Sequence, residues 1–323
     1  MHIQIMNLLK KIKLDYNIKL FNEHITNKNF DQAYQLIVNL KKKNELEFFL
    51  LLKNIVDNLS NLPANFYKQK IIWTVSYDTA DLLFINKFIN FYISRNFTGS
   101  FKNLNYTNTL AQYLSNSKIN VENQSIIFKD FVEYSNLYQN LLLFDNKCDY
   151  LFLETCASFF ETSNKKLFTN PNLTFCYFYV VSNPETLFTR YKKKFNSTEG
   201  SFNEMFNFNS ELFVNSEQNN NDIKVYENRT NINTNKKSWT DPNVVNTFKG
   251  RIINYDNLLN DTEEVLREII FHLKQYGFDI DVNVEDIKEF ISQNKIEDIH
   301  ESELSKNEKK FLEKNLDKEI QSF

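Results

Sequence analysis

Six residues, Ser76-Tyr77-Asp78-Thr79-Ala80-Asp81, stand between the apolar run Ile71-Ile72-Trp73-Thr74-Val75 and a helical stretch that begins at Leu82. A strand that turns sharply into a helix is where α/β proteins hold anions, because the first backbone N–H groups and the helix dipole point at the turn. Two carboxylates in such a turn have the opposite character, and Asp78 or Asp81 could instead cap the helix start. Other chemistry-bearing residues are sparse. The four histidines, His2, His24, His272 and His300, are scattered, and the three cysteines, Cys148, Cys156 and Cys176, lack CxxC spacing. They read as buried thiols of a reducing compartment, with no metal set expected. The pairs Asp279/Asp281 and Glu263/Glu264 fall at helix ends, where capping or solvation accounts for them. There is no HExxH, GxGxxG, intact GxxxxGK[ST] or glycine-flanked serine elbow, and with only four glycines the chain has little means of close backbone approach to a phosphate.

The elements that must position these residues follow from texture. Residues 1–66 read as a helical preface, with apolar positions at helical spacing in Phe30, Ala33, Tyr34, Ile37 and again in Phe48, Leu51, Leu52, Ile55. The segment Asn29-Phe30-Asp31-Gln32-Ala33-Tyr34 resembles half of a tetratricopeptide unit, though a stacked repeat needs several copies. Ser60 to Pro63 breaks the pattern. From residue 67 to 300 short continuous apolar runs alternate with helices, the pattern of strands buried on both faces of a parallel sheet. The expected strands are Ile71–Val75, Tyr150–Leu153, Phe175–Val181 and Arg251–Tyr255. The expected helices are Leu82–Ile93, Ile126–Leu143 and Glu263–Tyr276. The last has Asp261 with Glu264 three positions on as its start signal and Gly277 as its stop. The fold class expected is therefore α/β, a mostly parallel central sheet flanked by helices with a small helical region before it. The Asn-rich stretch 196–237 reads as a polar loop, and 301–323 as a charged, solvated helix or tail.

Composition excludes several classes. The formal net charge of -3, with both signs interspersed, provides no field for nucleic acid. No apolar run approaches the length of a membrane span, and the start lacks the charged-then-apolar order of a signal peptide, so the expected location is the cytoplasm.

In order and context the central segments resemble the sulfotransferase family, over roughly residues 70–300. Ile71–Tyr77 and the helix beyond match the strand and turn that in bacterial members read Ser-Tyr-Pro-Lys/Arg-Ser-Gly-x-Thr. Leu173–Pro184 is similar to the strand that runs into Arg-Asp/Asn-Pro, and Ser238-Trp239 with Ile252–Leu259 to the later Tyr-Glu-Asp-Leu segment. The resemblance implies a phosphate-loop-like fold that binds 3′-phosphoadenosine 5′-phosphosulfate and transfers its sulfonate to a hydroxyl, for instance of a carbohydrate. It implies cofactor contacts at Ser76, Tyr77, Thr79, Ser182 and Arg190, and it sets Cys156 where the family has its histidine base. The departures are specific. The family's Pro, Lys/Arg, Ser and Gly fall on Asp78, Thr79, Ala80 and Asp81, so a cation is lost and two carboxylates are gained. The Arg and Ser that hold the 3′-phosphate fall on Ser182 and Arg190, with the two types exchanged. The late glycine-rich basic loop falls near Ser302–Lys310, which has lysines and no glycine. Arg190 could retain the phosphate, or be a solvated member of the basic run with Lys192, Lys193 and Lys194. Two functions therefore stand: a sulfotransferase-like enzyme, or a non-catalytic relative that binds or scaffolds a partner, with the N-terminal helices as a docking element.

Overall fold

The structure, a computed structural model, describes residues 15–43, 69–106, 139, 140, 142, 143, 146, 148–159, 168–207, 214–216, 223–225, 231–296 and 304–316. The Phe48–Ile55 helix, the Ser60–Pro63 break and nearly all of the Ile126–Leu143 helix lie outside these residues. Helix α1 covers 15–26 and α2 Phe30–Lys43. Strand β1, Lys70–Ser76, leads through a 3₁₀ turn, Thr79–Leu82, into α3, Leu83–Asn96. There follow β2, Phe101–Asn105; β3, Tyr150–Thr155; and β4, Thr174–Val181. Strand β7, Gly250–Asn254, joins the central sheet after a small antiparallel pair of β5, Val214–Ser216, and β6, Ile223–Val225.

Among the described residues five strands form the central sheet in the order β2-β3-β1-β4-β7, and each of these pairings is parallel. The protein is thus an α/β fold with a parallel sheet between helical layers. Alternation along the strands sends side chains to two cores. One face carries Trp73, Val75, Leu151, Leu153, Tyr177 and Tyr179, covered by Phe21 of α1 and by Ala33 and Ile37 of α2. The other carries Ile72, Phe152, Phe178 and Val180, covered by α3, by α9 (Thr262–Gln275) and by α10 (Val284–Gln293). The α2 helix is tied to the sheet's lower end by the Tyr34 hydroxyl, which donates to Gln69 Oε1 at 3.4 Å. Ala33 and Ile37 of its apolar face are thus spent on the domain itself. Among the described residues no helix is long and apolar enough to cross a membrane.

One expectation is corrected. The described part of 196–237 is not a loop: it holds α5 (Thr198–Phe202), a π turn (Asn203–Asn207), the antiparallel β5–β6 pair and the start of α6 (Ile232–Thr240), after α4, Pro184–Phe195. Its polar residues serve as caps. Ser197 accepts from Gly200 N and Asn231 from Thr234 N, so residues that look like loop composition instead begin helices. Further on lie α7, Pro242–Thr247, and α8, Tyr255–Asn260. The described part of the charged C-terminal segment is a helix: α11, Lys306–Asn315, keeps most of its residues exposed and docks through buried Glu308 and Leu312, with Leu304 buried just before it. The stop at Gly277 is present, with φ at 93°, whereas the start of α9 has no side-chain cap from Asp261.

One glycine is required by packing. At Gly250, opposite Tyr177 in the β4–β7 pairing, an added Cβ would lie 2.2 Å from the Tyr177 ring. That ring cannot swing aside, because its hydroxyl donates to the Trp239 carbonyl and the residue is fully buried. Gly250→Ala is expected to destabilise the fold by ~2–3 kcal/mol, the range of overpacked interiors. A chemical-denaturation midpoint unchanged within error would show that β7 can shift freely.

Candidate functional site

In this strand order β1 connects toward β2 on one side, while β4 connects toward β7 on the other. Adjacent strands whose connections diverge leave a crevice outside their carboxyl ends, the place where open α/β sheets bind ligands. The turn after β1 and the helix after β4 meet there. Asn183 starts α4 by accepting from Glu185 N and Thr186 N, with Pro184 at the first helical position, and this fixes where Ser182 and Arg190 lie. Across the crevice, Asp78 caps the 3₁₀ turn by accepting from Ala80 N at 3.0 Å.

The centre of the crevice is Asp81, only 2% exposed. Its Oδ1 accepts from Arg190 Nη2 at 2.8 Å; its Oδ2 accepts from the Ser182 hydroxyl and, at 3.4 Å, from that of Ser76. The Ser76 and Ser182 hydroxyls are 3.2 Å apart. Arg190 Nη1 forms an ion pair with Asp78 at 3.1 Å. Burial pushes the Asp81 carboxyl up from its ordinary range, against the pull of Arg190 and the Ser182 hydroxyl, with Asp78 adding to the rise. Burial also opposes the Arg190 charge, but Asp81 and Asp78 outweigh it and hold the guanidinium protonated. The guanidinium is not saturated: its Nε is buried and makes no hydrogen bond.

The structure therefore brings Ser76, Ser182 and Arg190 together, and it makes Arg190 a paired residue, not a solvated one. It does not bring the other expected contacts to the cluster. Tyr77 points to a separate apolar cluster with Leu187, Phe188 and Tyr191, where its hydroxyl donates to the Glu204 carbonyl at 2.6 Å. Thr79 opens the 3₁₀ turn and adds no side-chain bond to Asp81 or Arg190. Cys156 lies past the end of β3, partly buried, with its carbonyl accepting from Asn235 at 3.0 Å; Asn235 also accepts from the Tyr179 hydroxyl.

Two features were not anticipated. Asp81 is the shared acceptor for Arg190, Ser182 and Ser76, and its cue was a carboxylate in a turn where a glycine is usual. At the end of β3, Glu154 accepts from the amides of Asn86 on α3 and Asn105 on β2, and Asn86 in turn accepts from Thr74. Its cue was a lone charge closing the apolar run Tyr150–Leu153. Nearby in sequence to Asn235, burial brings the Lys236 ammonium down to about 8.

No protein-family model matches this chain, and no curated protein matches it. The likeness to the sulfotransferases thus rests on residue order and context alone.

Proposed function

We propose that the chain is a non-catalytic α/β module, of sulfotransferase-like ancestry, that binds or scaffolds a partner and takes no nucleotide in its crevice. The observation that carries this reading is the Asp81 carboxylate, which accepts from Arg190, Ser182 and Ser76, the very donors that a phosphate would need. A phosphate dianion cannot share those donors with a buried carboxylate, since like charges at such distances repel strongly in a poorly solvated interior. Cys156 in the expected position of a histidine base points the same way, because an ordinary thiol is neutral near pH 7.

The enzyme reading keeps one specific support, the unsatisfied Nε of Arg190 beside two serine hydroxyls. On that reading 3′-phosphoadenosine 5′-phosphosulfate would displace Asp81 and its sulfonate would pass to a hydroxyl acceptor. Calorimetric titration with adenosine 3′,5′-bisphosphate separates the two. The module reading expects a flat trace for the intact protein, and measurable binding once Asp78→Asn and Asp81→Asn together remove both carboxylates. Saturable binding by the unaltered chain would overturn it.

A further inference from the structure

The C-terminal helix α11 lies against the same end of the sheet. Leu304 and Leu312 join Tyr77, Leu187, Phe188, Tyr191, Met205 and Ile232 in one apolar cluster. Phe311 packs on Phe202 with ring centroids 3.6 Å apart, and on Phe206 at 6.0 Å. Polar contacts complete the seat. Glu308 Oε1 accepts from Lys192 Nζ at 2.6 Å and from Thr198 Oγ1 at 3.1 Å, while its Oε2 accepts from the Ser305 backbone and hydroxyl, closing a capping box. Asn233 donates to the Asn315 carbonyl, and Lys309 pairs with Glu185. Burial works against the Glu308 charge, but Lys192, Ser305 and Thr198 bring its carboxyl down to about 2.

These contacts lead to the closed site by two routes. Lys192, on α4, lies two residues beyond Arg190. The π turn that Phe311 helps to pack, through Phe202 and Phe206, carries the Glu204 carbonyl that holds the Tyr77 hydroxyl, and Tyr77 immediately precedes Asp78. π turns inside helices are uncommon and recur where a helix is adjusted for a purpose. A ten-residue helix is too short to stand alone in water, so α11 persists through this docking.

We infer that α11 is a strap built into the chain, whose docking on α4, α5 and the π turn holds the Tyr77–Asp81 turn in the closed arrangement against Arg190. This rests on the reading of the crevice as a closed site. It goes further in assigning the closure to a detachable segment, so that release of α11 loosens the turn while the sheet stays intact.

The test is hydrogen–deuterium exchange on the full chain carrying Glu308→Lys, which sets two cations together at Lys192, and separately Leu312→Asp, which expels the apolar anchor. The strap predicts at least tenfold faster amide exchange in 306–315, in 203–207 and in 77–82, with β1, β3 and β4 unchanged. Release of α11 with no change in 77–82 would overturn the coupling and leave the bisphosphate result standing. Faster exchange throughout the sheet would make α11 an integral part of the core and also overturn it. So would full protection of 306–315 in both variants.

Discussion

Replacing Arg190 by methionine is expected to destabilise the protein by ~3–5 kcal/mol, the cost of leaving a buried charge without its partner. The reason is local: Asp81, 2% exposed, would retain only the two serine hydroxyls. The loss should depend on pH in a defined direction. A carboxyl whose folded value is raised binds a proton more readily in the folded than in the unfolded chain, so folding is penalised as pH climbs above its ordinary value of 3.8 toward the folded value. In the Arg190→Met protein that rise is larger, and the deficit is expected to be greater at pH 8 than at pH 5. The double substitution Arg190→Met with Asp81→Asn removes the stranded charge and should regain most of the lost stability. Urea denaturation of the three proteins at both pH values decides the matter. A deficit below ~1 kcal/mol for Arg190→Met, flat with pH, would mean that Asp81 reaches water without help.

Trp239→Ala is expected to cost about 3–5 kcal/mol, the range for deleting a large buried aromatic, and to lower the thermal midpoint by roughly 10 °C. Trp239 is fully buried, meets Phe159, Phe168, Tyr177 and Tyr179, and its indole N–H donates to the Ala157 carbonyl at 2.8 Å. Its own carbonyl anchors Tyr177, so α6, β3 and β4 are joined through one residue. Trp239→Phe, which keeps most of the ring contacts and loses the indole donor, should cost distinctly less. Equal losses for the two substitutions, measured by calorimetry, would assign the effect to the hydrogen bond and not to packing.

The central strands were legible because β1, β3 and β4 are buried on both faces and therefore read as unbroken apolar runs. Strand β2 was not. Phe101-Lys102-Asn103-Leu104-Asn105 pairs only with β3 among the described residues, and its polar positions hide it in an Asn-rich chain. The same richness concealed the helices after Asn196, since Asn and Ser serve equally as caps and as loop residues. For α11, charge at nearly every other position masked a buried stripe at i, i+4 and i+8, because its middle member, Glu308, is charged and only Leu304, just before the helix, and Leu312 are apolar. The crevice was half legible. Ser182 and Arg190 could be placed by the order of segments, but that Asp81 meets a guanidinium 109 residues away is a fact of three-dimensional closure and not of spacing.

The position of β1 at the middle of a parallel sheet has a consequence for how the chain is made. Both neighbours of β1 come later: β3 begins at Tyr150, and the indole of Trp73 waits for Thr174, 101 residues on. At ribosomal rates of ~5–20 residues per second, the roughly 80 residues from Ile72 to its β3 partner Phe152 take about 4–16 s, during which Ile71, Ile72 and Trp73 have no strand beside them. A nascent chain of this topology therefore needs those residues shielded as it emerges, whether by the preceding α1 and α2 segments or by a chaperone. Slowing translation after codon 76 should raise aggregation more than the same pause placed after codon 181.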